Sequence, residues 1–204
     1  MKVSYQIAAN EVIDETIVSR SRFICYLKPC TSSEEAKALV KYCQKLHPQA
    51  SHHCYAFVAG AVTDSQLYGF SDDGEPSGTA GRPMLAVLQG GDVGQVCAVV
   101  VRYFGGTKLG TGGLQRAYGG SVKQALTLLS SIVKVAMEFK TLDCEYHQVN
   151  DILHFLSLSK GNVVEQSYNE GVSFTLEIPC ENIDVINKQL LSLSAGQLVL
   201  KNLD

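Results

Sequence analysis

The sequence predicts an α+β protein of two domains, and three observations carry that prediction. Of the 18 glycines, 14 fall between Leu67 and Gly120. From about residue 138 the apolar pattern changes to strand, helix, strand, strand, helix, strand. Charge divides at the same place, with a net +3 over residues 1–137 and −6 over residues 138–204. We therefore expect a mixed α/β domain at 1–137 and a second domain at 138–204. The βαββαβ order of the second is that of a ferredoxin-like module.

Residues 3–30 alternate loosely (Val3, Tyr5, Ile7, then Phe23, Cys25, Leu27) and read as two strands. Ser32 and Glu35 form a capping box. The helix it opens carries Ala36, Leu39, Val40, Cys43 and Leu46 on one face and ends at His47-Pro48. A strand from His53 to Val58 and a turn at Asp64-Ser65 follow. After an acidic loop at 71–78, Thr79 is the expected cap of a second helix, with Pro83 tolerated in its first turn and Gly90-Gly91 closing it. The stretch Val96–Tyr103 is apolar on both faces, which places it in the middle of a sheet, and Arg102 marks the sheet's rim. Thr111 is the expected cap of a long helix with the stripe Leu114, Tyr118, Val122, Ala125 and Leu129. Gly119-Gly120 inside it cost about 1 kcal/mol each against Ala, which close packing on the sheet would offset.

In the second domain a strand Phe139–Tyr146 leads to a helix bearing Val149, Ile152, Leu153 and Leu156. A hairpin turns at Asn169-Glu170-Gly171. A helix with Ile183, Ile186, Leu190 and Leu193 precedes a last strand, Gln197–Leu203.

Composition narrows the function. Hydrophobic content of 46% with 18% charged residues suits a soluble protein with a real core. No apolar run approaches the roughly 20 residues of a membrane helix. The N-terminus lacks a signal-peptide apolar region, so a cytoplasmic protein without a membrane partner is expected. Seven irregularly spaced cysteines read as buried reduced thiols rather than disulfides or a zinc site.

The chemistry-bearing stretch is the Gly-rich loop after the buried strand: Arg102, Tyr103, Gly105, Gly106, Lys108, Gly110, Thr111, Gly112 and Gly113, with Arg82 and Arg116 nearby in sequence. It leads into a helix N-terminus, where free N–H groups and the helix dipole favour an anion. It is neither a Walker loop nor a Rossmann loop, since no Gly-Lys-Ser/Thr follows and no partner acid is in place. Asp72, Asp73 and Glu75 form an acidic turn. Three readings stand for it: an oxygen-ligand metal site, acid–base chemistry, or Asx turns with an ion pair to Arg82 or Arg102. His52 and His53 are adjacent on a strand and point to opposite faces, so they do not share a metal easily. No orienting acid accompanies Cys54 as a nucleophile. No cofactor, metal or catalytic residue is assigned.

The blocks His52–Ala56, Gly69–Gly81, Val101–Gly106 and Leu109–Leu114 resemble the IMPACT family, closest to its bacterial branch, along nearly the whole chain. The resemblance implies a first domain like the second domain of ribosomal protein S5, also found as domain IV of elongation factor G. It implies a ferredoxin-like second domain like domain V of that factor. Eukaryotic members regulate translation by competing for a co-activator of a stress kinase through an added RWD domain, which these 204 residues do not contain, so that contact is not expected here. For bacterial members the fold likeness suggests RNA or ribosome association. The expectation is a non-enzymatic, translation-linked regulatory protein that contacts structured RNA or the ribosome through the basic loop. The rivals are a metal-assisted hydrolase or phosphotransferase at the acidic turn, and a protein-interaction module.

Overall fold

The computed structural model describes residues 3–203. Its contacts divide the chain into Tyr5–Lys134 and a second unit that contains Val135 and the described residues beyond it.

The first unit runs β1 (Tyr5–Ala8), β2 (Val12–Val18), β3 (Ser21–Pro29), α1 (Ser33–Leu46), β4 (His52–Val58), β5 (Tyr68–Ser71), α2 (Gly81–Gly90), β6 (Val93–Gly94), β7 (Val96–Tyr103), α3 (Gly110–Leu126) and β8 (Ser131–Lys134). Five strands form an antiparallel sheet in the order β2-β3-β7-β4-β5. The sheet is covered on both faces, and strand alternation decides which side chain goes where. Ile24, Tyr26, Cys97, Val99 and Val101 pack with Ala36, Leu39 and Cys43 of α1. Phe23, Cys25, Leu27, Ala98 and Val100 pack with Met84 and Leu88 of α2 and with Leu114, Tyr118 and Val122 of α3. The apolar β7 is therefore central, although its neighbours are antiparallel rather than the parallel strands such a run usually accompanies.

Several local readings change. Residues 3–30 hold three strands, because Ser19 and Arg20 take left-handed conformations (φ 47° and 70°) and close a tight hairpin between β2 and β3. That turn ordinarily uses Asn-Gly, so this pair gave no signal. Short β1, β6 and β8 form a separate three-stranded sheet. Gly119 faces Val87 and Pro83 of α2 rather than the sheet, and a Cβ there would make only ordinary van der Waals contact, so close packing does not account for the glycine. Ser32 caps α1 by accepting from the Glu35 N–H, and the Glu35 carboxylate accepts from the Thr31 N–H.

The second unit contains β9 (Met137–Cys144), α4 (Val149–Leu158), β10 (Asn162–Tyr168), β11 (Val172–Pro179), α5 (Ile183–Leu193) and β12 (Lys201–Asn202). Its sheet order β10-β11-β9-β12 is antiparallel throughout and is the ferredoxin-like arrangement. Leu142, Phe174, Leu176 and Ile178 meet Ile152, Leu156, Ile186 and Leu190 in one core. The last strand is only two residues long. Before it, Leu198 sits in the core, held by a 2.7 Å bond from its N–H to the Ser194 hydroxyl.

Candidate functional site

The acidic turn is a latch more than an open trio of carboxylates. It leaves β5 at Ser71, and its Asp72 carboxylate accepts from three backbone N–H groups: Gly78 at 2.8 Å, Ala80 at 2.9 Å and Gly81 at 2.8 Å. Asp72 thus caps α2 from a distance. Thr79, the cap expected from sequence, instead donates its hydroxyl to the Pro76 carbonyl. Burial opposes the Asp72 charge, but the three N–H bonds outweigh it and hold the carboxyl below the usual aspartate range. Asp73 takes φ 40° and accepts from the His53 N–H at 2.6 Å, tying the turn to β4. Gly81 is required here, since a Cβ would come within 2.8–2.9 Å of the Ser71 backbone.

Glu75 points the other way, into the protein. Its Oε1 accepts from Arg102 Nη1 at 2.5 Å and from the Tyr118 hydroxyl at 2.7 Å, and His52 Nε2 lies 3.8 Å off. Arg102 does not stand free at the rim, as expected from its place at the strand end: it is 5% exposed. The ion pair with Glu75 explains how a charge is kept there. The guanidinium carbon lies 5.5 Å from the Phe23 ring centre and 5.6 Å from that of Phe104, within cation–π range of both. Its Nε is buried without a hydrogen-bond partner.

That unpartnered donor belongs to a residue lining a cavity of about 360 Å³. Glu75, Arg102, Lys108, Gly110 and Thr111 supply its polar wall, and Pro76, Phe104, Leu109 and Leu114 its apolar one. Gly110 opens α3 at φ 68°. No side chain caps this end, so Thr111 lies in the first turn of the helix rather than at its cap.

Among the other expected site residues, the structure separates what the sequence grouped. Tyr103 projects to the α1 face, opposite Arg102, by the alternation of β7; its hydroxyl bonds His47 Nδ1 at 2.9 Å. His47 Nε2 bonds the Tyr26 hydroxyl at 2.6 Å, and burial lowers the pKa of this imidazole. Arg82 is exposed on α2. Arg116 lines a different cavity with Asp14 and Glu15. Gly105 lets β7's exit pass the β2–β3 turn, where a Cβ would overlap the Arg20 carbonyl. Gly106 takes φ 84°, Gly112 lies by the Arg116 guanidinium, and Gly113 lies against Leu109.

The apolar wall was not singled out by sequence reasoning, and His52, weighed there beside His53 as a metal ligand, lies instead against Glu75. Phe104 lies just past the end of β7, where strand alternation no longer fixes its direction. Tyr118 read as one more apolar position in a helical stripe.

Two side chains of this cluster are held in their protonated forms by burial. Burial pushes the Cys54 thiol up to about 12, and its Sγ donates to the Asp72 carbonyl at 3.0 Å. Burial likewise raises the Tyr118 phenol, which stays a neutral donor to Glu75. Among the described residues, no group of three or more His, Cys, Asp or Glu could hold a metal ion, and no helix is long and apolar enough to cross a membrane.

Comparison with known proteins gives these blocks a family. Residues 19–126 match the Impact N-terminal domain, and residues 142–197 match a domain of unknown function, DUF1949. A Haemophilus influenzae protein named IMPACT family member is 42% identical over 200 residues, covering 98% of this chain and 97% of its own. Escherichia coli K12 IMPACT family member YigZ is 47% identical over 189 residues, covering 93% and 92% respectively. The crystal structure of a hypothetical protein, 44% identical, aligns with a TM-score of 0.71 over 100% of this chain and 99% of that one. With both domains matched and these relatives aligned along most of their length, the chain belongs to the IMPACT family.

Proposed function

We propose that this is a translation-linked regulatory protein that acts by binding, and that it meets structured RNA, free or on the ribosome, at the junction of β7 and α3. Family membership supports the translation-related regulatory role in general. The RNA contact rests on one observation: the buried Arg102, with Nε unpartnered, lines the same cavity as Lys108 and the uncapped start of α3. A buried N–H without a partner is costly, and a helix N-terminus favours negative charge, so a phosphate oxygen answers both. Glu75 balances the Arg102 charge, which leaves Lys108 and the helix end as the attraction for an anion. Arg82 and Arg116 are exposed but line no part of this cavity, Arg116 lying in another one with Asp14 and Glu15, and Tyr103 faces away from it.

The test is a salt titration of binding to purified ribosomes and to structured RNA. Lys108→Ala is the informative variant, because Lys108 is exposed and forms no ion pair among the described residues that its loss would break. Affinity is expected to fall steeply with salt, with a log–log slope reduced by about 1 in the variant. Arg102→Ala is a poor probe, since it also strands Glu75. Absent binding at low salt, or binding that ignores salt, would overturn the reading and favour a protein partner.

A further inference from the structure

We infer that the cavity at the start of α3 takes the end of an RNA chain: a terminal nucleotide with its phosphomonoester inside and its base against Phe104. This rests on the RNA reading above and narrows it from the phosphate backbone to a chain end. The anionic half of the argument is the Arg102 side chain. It is 5% exposed, lines the cavity, and keeps Nε without a partner, while the first turn of α3 has no side-chain cap. A terminal phosphomonoester brings about 1.5 to 2 negative charges at pH 7 and three acceptor oxygens, enough to engage Nε, the helix N–H groups and Lys108 together. An internal phosphodiester brings one charge and a chain on both sides. Reaching so buried a donor would require both arms to turn out of the same opening.

The base half of the argument is the apolar lining of the same cavity. Phe104 is 51% exposed, and Pro76, Leu109 and Leu114 continue the apolar surface beside it. An exposed aromatic ring 5.6 Å from the Arg102 guanidinium carbon, on the same cavity as Lys108 and the helix start, matches the two ends of a nucleotide, because any base can stack on its free face. The volume of about 360 Å³ is at the small end of ligand sites, room for one nucleotide unit and not for a duplex.

The test is isothermal titration of the full chain with adenosine 5′-monophosphate, adenosine 3′-monophosphate, adenosine and inorganic phosphate. One of the two monophosphates is expected to bind at least tenfold more tightly than adenosine or phosphate, and which one identifies the chain end. Phe104→Ala should weaken that monophosphate by about tenfold and leave inorganic phosphate unchanged. Lys108→Ala should weaken both. Monophosphates that bind no better than inorganic phosphate, or an indifferent Phe104→Ala, would overturn the inference. The ribosome salt titration, run on the same preparation, separates the two failures. Salt-dependent RNA binding without monophosphate binding overturns chain-end recognition alone. Loss of RNA binding overturns both, even if monophosphates bind, since the chain end would then have no chain.

Discussion

The two units of this protein bury different things. The core of the second, around Leu142, Phe174, Leu176 and Ile178, is apolar, and Ser194 beside it is satisfied by backbone partners. The first unit buries Ser21, His53, Glu75, Thr79, Arg102 and Ser121 along with its hydrophobic clusters. An apolar core needs only shape and volume. A buried ion pair must recover a desolvation penalty of several kcal/mol per ion, and apolar residues of the same volume often serve stability as well or better. The Glu75–Arg102 pair is therefore weak evidence for a structural role, and its place on a cavity wall with a free Nε is where a binding role enters.

That contrast can be broken experimentally, and the largest effect should come at the ion pair. Arg102→Ala should destabilise the protein by about 3–5 kcal/mol in chemical denaturation, because it leaves Glu75 buried and unpaired. The double variant Arg102→Met with Glu75→Leu should recover most of that loss. A double variant as unstable as the single one would mean that the pair itself stabilises the fold. In the second unit, Leu176→Ala should cost about 2–5 kcal/mol through a cavity, with no paired substitution of a charge to rescue it. It should also leave the salt dependence of RNA binding unchanged.

A smaller effect is expected at the latch. Asp72→Ala should cost about 0.5–2 kcal/mol as a lost helix cap. The pH dependence has a definite sign. Because the folded state holds the Asp72 carboxyl below its ordinary value of 3.8, its contribution is present above that pH and is lost as the pH falls through the folded value. A denaturation series from pH 5 downward should show a shallower acid loss for Asp72→Ala than for wild type.

His47 sharpens the comparison nearer neutrality. Burial lowers its pKa from 6.5, so the folded state prefers the neutral ring. Its contribution is present above pH 6.5 and declines as the pH falls toward the depressed folded value. His47→Gln should flatten this part of the stability–pH curve. An unchanged slope would remove His47 as its source. The smallest effect belongs to Lys108→Ala, within about 0.5 kcal/mol of wild type, because an exposed lysine contributes little to the fold.

Much of this was legible beforehand where the signal was local. The capping of α1 by Ser32 is a contact between residues three apart. The ferredoxin-like order follows from apolar periods within single elements, and the change of charge sign lies close to the division between the two units. Reading failed where a partner came from elsewhere in the chain. Thr79 had the right position and chemistry for a cap, yet Asp72 took the N–H groups because the turn brings its carboxylate back over them. The Ser19-Arg20 hairpin carried no glycine to announce it.

The sequence alone determined the two-domain α+β architecture and the central place of Val96–Tyr103, because periodicity and capping are properties of neighbouring residues. Tertiary structure decided the cavity. Arg102 and Tyr118 lie 27 and 43 residues from Glu75 in the chain and meet it at one carboxylate oxygen, and the alternation of β7 sends Tyr103 away from the group that sequence proximity had given it. Which donor is left over after such a meeting depends on distance in space, and only the folded chain sets that.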